Sequence, residues 1–245
     1  MRLTRRCLEL LRLLKVARWL TTSQIHRRFF GQATRDAARK RLHKLTEAQY
    51  LVRSQQNHMT EALFTLGPEG RRVLEKQGGN GIKLERRPPK QLDHFLGINE
   101  LRIAAEINPA LTFFFACWEL PALGWKYAVI PDAVFAVGKQ QFAVEFDRGQ
   151  EKVKFFVRTK STTYCTGLAG FPLSALLVVT DRRARTKQLM NGIPGIGRTP
   201  LLFTTMDLIQ EHGFWAPIWE QQSLFSKSPG STTTLLAEAP LKLRN

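Results

Sequence analysis

The sequence predicts a mixed α+β protein of two domains, the first helical with a small hairpin and the second of α/β type. Three observations carry this expectation. Charge is unequally shared: the chain holds 37 Lys and Arg against 20 Asp and Glu, a net +17 with a pI near 10.4, and residues 1–90 alone carry 21 basic and 7 acidic side chains. Apolar spacing is helical over the first part and turns to alternating, strand-like runs separated by helical segments after residue 92. Between the two lie QGGNG (77–81) and ERRPPK (85–90), where glycines weaken helical preference and paired prolines lack amide donors. The expected organisation is a first domain over 1–80, a linker over 81–91, a second domain over 92–225 and a loose Ser/Thr/Gly-rich tail over 226–245.

The elements follow in order. Leu3, Cys7, Leu10, Leu11 and Leu14 recur at helical spacing, giving a first amphipathic helix over 3–17. Thr22 or Ser23 is expected to cap a short second helix, SQIHRRFF, which ends at Gly31. A third helix over 34–46 sets Ala38, Leu42 and Leu45 on one face and basic side chains over the other half. Two β-prone runs, 50–53 and 62–66, are joined by a polar stretch and followed by a loop and helix in LGPEGRRVLE. This order is that of a winged helix-turn-helix, and KRLHKLTEAQYLVRS followed by FTLGPEG resembles the many bacterial winged-helix proteins. In such a domain the third helix enters the major groove and cations meet phosphates. Arg35, Arg39, Lys40, His43, Lys44 and Arg53 are the candidate DNA-binding residues.

Composition narrows the partner. A strong positive excess favours a polyanion. The longest apolar runs, such as LSALLVV (173–179), fall short of the roughly 18 residues a membrane span needs. Arg12, Lys15 and Arg18 interrupt the stretch that a secretory signal would keep apolar. Three widely spaced cysteines, Cys7, Cys117 and Cys165, suggest neither a disulfide framework nor a zinc knuckle, so a cytoplasmic protein acting on double-stranded DNA is expected.

Past residue 92 the pattern reads helix (HFLGINELRIAAEI), strand (LTFFFACWEL), strand (PDAVFAV), strand (QFAVEFD), helix over about 150–166, strand (173–180), helix near 181–191, strand (PLLFTT) and a short helix from Met206. This is the αβββαβ order of a restriction-endonuclease-like domain of the PD-(D/E)XK superfamily. Alternation along the third strand puts Glu145 and Asp147 on one face, with Asp132 thirteen residues before Glu145 and Glu100 on the preceding helix. Clustered carboxylates suit a hard divalent cation. Asp132 and Glu145 are therefore the candidate ligands of a Mg²⁺ or Mn²⁺ that activates water, in a catalytic set of Asp132, Glu145, Asp147, Lys160 and Glu100. The strand reads Glu145-Phe146-Asp147 where an active nuclease of this type has acid-x-Lys, so the ammonium has to come from Lys160 or Lys154 on the following helix. A purely structural reading pairs the acids with Arg148, Lys152 or Lys160. DRRARTK (181–187) reads equally as a solvated helix face or a phosphate contact, and GIPGIGRT (192–199) as a turn.

The chain also resembles the replication-relaxation family of plasmids and other mobile elements. The residues carrying the resemblance are His94, Leu96, Asn99 and Glu100, then Pro131 and Asp132, then Glu145, Asp147, Arg148 and Gly149, with Lys160 and Tyr164 in KSTTY; Gln150 departs from the pattern. The resemblance implies a winged helix joined to a nuclease-like fold, working in replication, relaxation or transfer beside a relaxase or replication initiator. A targeted Mg²⁺-dependent endonuclease, a transcriptional regulator with a ligand-sensing domain, and a homodimer remain open on the sequence.

Overall fold

The computed structural model describes residues 2–55, 57, 59–79, 81–165, 173–193, 199–221 and 232–233. The chain is mixed α+β with two sheets, and it divides into two compact units, Met1–Ile103 and Ala104–Asn245.

In the first unit, α1 (Arg5–Ala17) starts on Thr4, whose hydroxyl accepts from the Cys7 amide, and buries Cys7, Leu10, Leu11 and Leu14. A two-residue strand that the sequence pattern does not announce, β1 (Leu20–Thr21), comes next. It moves the cap of α2 (Thr22–Phe29) back from the expected Thr22 or Ser23 to Thr21, because strand pairing holds Thr21 extended where the helix begins; Thr21 and Gln24 form a reciprocal capping box. Helix α3 (Arg35–Glu47) is capped by Thr34 and buries Ala38, Leu42 and Leu45 as its periodicity requires. Strands β2 (Leu51–Ser54) and β3 (Leu63–Leu66) form an antiparallel hairpin, and β1 closes the other edge of β3. Helix α4 (Pro68–Lys76) begins with proline at its first position, where no amide donor is needed. Gly70 lets this helix lie against the hairpin, since a Cβ there would sit 2.8 Å from Leu66 Cδ1 and collide with the Tyr50 carbonyl.

Helix α5 (Leu92–Ala105) falls within the stretch read as the second domain, yet nearly all of it lies in the first unit. It delivers Ile103 to the core that Leu11, Leu14, Ile25, Leu42 and Phe64 build, and Ile82 from the presumed linker is buried in the same core. Gly and Pro mark where regular structure stops; they carry no information on which neighbour the next helix packs against.

The second unit is built on one seven-stranded sheet. Its strands are β4 (Leu111–Ala116), β5 (Ala133–Val137), β6 (Gln140–Asp147), β7 (Ala175–Thr180), β8 (Leu201–Thr205), β9 (Trp219–Gln221) and β10 (Thr232–Thr233), in the order β10-β9-β8-β7-β6-β5-β4. β4, β5 and β6 are an antiparallel meander; β6, β7 and β8 run parallel. Every residue of β7 and β8 is buried, as befits parallel strands covered on both faces. Helix α6 follows β6 and is continuous over 153–165, passing from Val153–Phe155 through a π-helical stretch, Phe156–Ser161, into Thr162–Cys165. The hydroxyls of Thr159, Ser161 and Thr163 donate to the carbonyls of Phe155, Val157 and Thr159, local bonds that compete with the regular helical ladder. Helices α7 (Arg183–Gly192) and α8 (Met206–His212) complete the unit.

One sheet face carries Ala143, Leu176, Val178 and Phe203 against Phe156, Tyr164 and Leu189. Elsewhere in the unit, ring contacts link Phe135 to Phe142 and Phe214, and Phe214 to Trp219. β9 and β10 are not anticipated from the sequence, and β10 falls inside the stretch read as a tail. The rest of that tail, and most of GIPGIGRT, lie outside the described residues.

Candidate functional site

Two constellations, one in each unit, gather the residues that the sequence singled out. In the first unit, α3 and the β2–β3 hairpin wall a groove of about 480 Å³ whose lining includes Arg39, His43, Arg53, Gln55, Thr60 and Glu61. Arg39 and His43 are one helical turn apart, so both reach the same side of α3. Their intramolecular partners are weak: Arg39 meets Asp36 at 3.4 Å and His43 meets Glu47 at 3.4 Å, all four largely exposed. Arg53 projects from β2 and contacts Gln55. Arg35, Lys40 and Lys44 are exposed on α3 outside the groove lining. Arg41 on the same helix turns back instead, and its guanidinium donates to Cys7 Sγ at 3.1 Å and to the Arg2 carbonyl. Burial opposes ionisation of Cys7, but the Thr4 hydroxyl and Arg41 outweigh it and hold the thiol below its ordinary value.

The groove also contains an acid that the sequence reading passed over. Glu61 Oε1 accepts from the Ser23 amide at 2.5 Å, so a carboxylate from the hairpin caps the first turn of α2. Only the hairpin fold brings residues 23 and 61 together.

Glu100, expected among the catalytic acids, lies in the first unit with its side chain 12% exposed. Arg27 donates to both its oxygens, at 2.6 and 2.5 Å, and Gln24 Nε2 donates at 3.2 Å. Beside it, Asn99 donates to the carbonyls of Ala17 and Trp19, both at 2.9 Å, and so satisfies the end of α1. These contacts give Asn99 and Glu100 the work of fastening α5 to α1 and α2.

In the second unit, antiparallel pairing sets Ala133 opposite Val144, and Asp132, one residue earlier, accepts from the Phe146 amide through Oδ2 at 2.7 Å. Glu145 is 1% exposed and both of its oxygens are engaged. Lys160 Nζ donates to Oε2 at 2.8 Å and the Tyr164 hydroxyl donates to Oε1 at 2.6 Å. Lys160 and Tyr164, four residues apart on α6, therefore grip one carboxylate. Asp147 is held apart from this group, by Arg185 through two bonds of 3.0 and 2.9 Å and by the Gly149 amide. Arg148 pairs with Asp181 at 3.3 Å. Within DRRARTK, then, Arg185 is neither a solvated side chain nor a free cation; its side chain is 11% exposed and neutralises Asp147.

Burial and the nearby Asp132 carboxylate push the Glu145 carboxyl up to about 8, against the pull of Lys160 and Tyr164. Burial works against charge on Lys160, but Glu145 more than offsets it and raises the ammonium above its ordinary range. Burial and Glu145 raise the Tyr164 phenol far above its usual value, so it remains a donor.

A hard divalent ion takes roughly six oxygen ligands and needs carboxylates free to coordinate. Among the described residues no three His, Cys, Asp or Glu side chains are gathered as such a set. With Glu145 bonded through both oxygens, the donors present do not fit a divalent cation as they stand.

Comparison with known proteins bears on the whole arrangement. A family model described as Replication-relaxation matches residues 11–166, more than half of the chain. The chain belongs to the replication-relaxation family. The matched span runs from α1 through α6, and it includes the α3 groove, the Asn99–Glu100 fastening and the Glu145–Lys160–Tyr164 group of this family member. No curated protein and no solved structure matches it. No helix among the described residues is long and apolar enough to cross a membrane.

Proposed function

We propose that this replication-relaxation protein binds duplex DNA through its first unit, a winged helix-turn-helix, and acts in the replication, relaxation or transfer of a plasmid or other mobile element. The observation that carries the reading is the groove between α3 and the hairpin, lined by Arg39, His43 and Arg53 in the part of the chain where basic residues outnumber acidic ones 21 to 7. α3 is the reading helix, its apolar residues Ala38, Leu42 and Leu45 anchoring it while the opposite half meets DNA. The hairpin is the wing. Family membership supports the replication role, with a relaxase or replication initiator as the fitting protein partner. The second unit, with its antiparallel β4–β6 meander passing into parallel β7 and β8, is a restriction-endonuclease-like domain.

The test is duplex binding by the full-length protein across a salt series. Affinity should fall linearly on a log–log plot, because each neutralised phosphate releases counterions. Glu61 supplies an internal check. Its carboxylate occupies the amide at the start of α2 and lowers the potential of the groove, so Glu61→Gln should tighten duplex binding about threefold to tenfold, and weaker binding by that variant would place the DNA elsewhere.

A further inference from the structure

We propose that the Lys160 ammonium stands where a nuclease-like domain would hold its divalent cation, so that the second unit carries a resident side-chain cation and takes up no metal. The inference rests on the nuclease-like reading of the second unit and does not depend on DNA binding by the first.

The geometry argues it from three sides. Asp132, the residue before β5, and Glu145 on the neighbouring β6 are brought close where Asp132 Oδ2 accepts from the Phe146 amide. They are the pair a cation would bridge. The position facing them is filled from α6: Lys160 Nζ lies 2.8 Å from Glu145 Oε2 and 3.9 Å from Glu151 Oε2, and the charge of Asp132 also acts on it. One ammonium thus answers acids from the residue before β5, from β6 and from the loop before α6.

The arrangement is also built to keep Lys160 in place. Its side chain is only 25% exposed, and the ammonium lies 5.9 Å from the centre of the buried Phe156 ring. Tyr164, fully buried, holds the second Glu145 oxygen and fixes the carboxylate plane. An ammonium has three donors and no need of a regular shell, so the one Glu145 oxygen at 2.8 Å, with Glu151 at 3.9 Å, suffices to hold it where a metal would need more ligands. A divalent ion placed on Glu145 would have to displace either the ammonium or the phenol, and if it sat beside the ammonium the two cations would repel across a few ångströms in a poorly screened site. Side chain and metal therefore exclude one another.

Mn²⁺ titrated calorimetrically into the full-length wild type should give no binding heat up to millimolar concentration, and neither Mn²⁺ nor EDTA should move its melting temperature. Lys160→Met removes the charge while keeping the bulk, and should open a Mn²⁺ site; metal at about ten times its Kd should then raise the melting temperature by about 3–6 °C. Lys160→Arg keeps a cation and should bind no Mn²⁺. The Lys160→Met, Glu145→Gln double variant, with charge removed from both partners, should fold and bind none. Wild-type Mn²⁺ binding that Glu145→Gln abolishes would overturn the proposal, as would folded Lys160→Met that gains no affinity. Should Lys160→Met not fold, the double variant shows whether an uncompensated Glu145 is the cause, and the wild-type titration decides between ammonium and metal.

Discussion

Full-length protein carrying Arg39→Ala and Arg53→Ala together is expected to bind duplex DNA about a hundredfold more weakly than wild type at low salt. Each side chain reaches the groove from a different element, one from α3 and one from β2, so a phosphate or base edge lying between them meets both. A hydrogen bond to a charged group is worth roughly 1.5 kcal/mol or more, and two such contacts amount to about two powers of ten. Little is returned by the free protein, because Arg39 has only its 3.4 Å contact with the exposed Asp36 to lose and Arg53 its contact with Gln55. The dependence of log affinity on log salt should also become shallower by about two, one for each lost phosphate contact. Lys15 and Lys76, exposed on α1 and α4 and absent from the groove lining, serve as the matched control: their double alanine variant removes the same charge and should cost only severalfold. Equal losses in the two double variants would mean that bulk charge, not the groove, holds the DNA. An Arg39/Arg53 variant with wild-type affinity would remove α3 as the reading helix.

Asn99→Ala is expected to destabilise the first unit by about 3 kcal/mol without touching the groove. The amide of Asn99 is fully buried and donates to two main-chain carbonyls, those of Ala17 and Trp19, where α1 has ended and no further helical amide arrives. Alanine removes both bonds: the Ala17 carbonyl keeps the Trp19 amide at 2.7 Å, whereas the Trp19 carbonyl loses its Asn99 donor, and an unsatisfied buried polar group costs about 1–3 kcal/mol, with about 1 kcal/mol more for the other lost bond. Asn99→Asp should be worse, since a carboxylate cannot donate and would face two carbonyl oxygens in a buried site. Denaturant unfolding followed by tryptophan fluorescence measures both, with Trp19 itself buried beside the site. A loss below about 1 kcal/mol in both variants would show that the end of α1 relaxes to find other donors. DNA affinity under native conditions should stay within about twofold of wild type, which separates this structural effect from that of the arginines.

Much of the local structure was readable because it depends on neighbours in the chain. Helical spacing located α1 and α3 within two residues, LGPEGRRVLE was read as a loop and a helix and holds most of α4, and alternation placed Glu145 with Ala143 rather than with Phe146. The candidate catalytic set fared differently. Of Lys160 and Lys154, the two lysines the sequence offered, Lys160 is the one that bonds Glu145, and their spacing of fifteen residues fits a strand followed by a helix folded back on it. Tyr164 was visible only as part of KSTTY, although its spacing of four from Lys160 is the signal that both side chains share one helix face. Arg185, 38 residues from Asp147, and Glu61, 38 residues from Ser23, had no local signal at all.

By itself, then, the sequence determined the mixed α+β class, the basic character of the first unit, the apolar faces of its helices and the acids that face one way along β6. Those features follow from charge content and from periods of 3.6 and 2, which are properties of a chain segment. Tertiary structure decided which acids meet which cations. It gave Glu100 to Arg27, Asp147 to Arg185 and Glu145 to Lys160 and Tyr164, and it assigned α5 to the first unit through Asn99 and Ile103. The physical reason is that a buried carboxylate must take whichever donor packing brings within about 3 Å, and that choice is made by the sheet register and by helix placement, which no short stretch of sequence encodes.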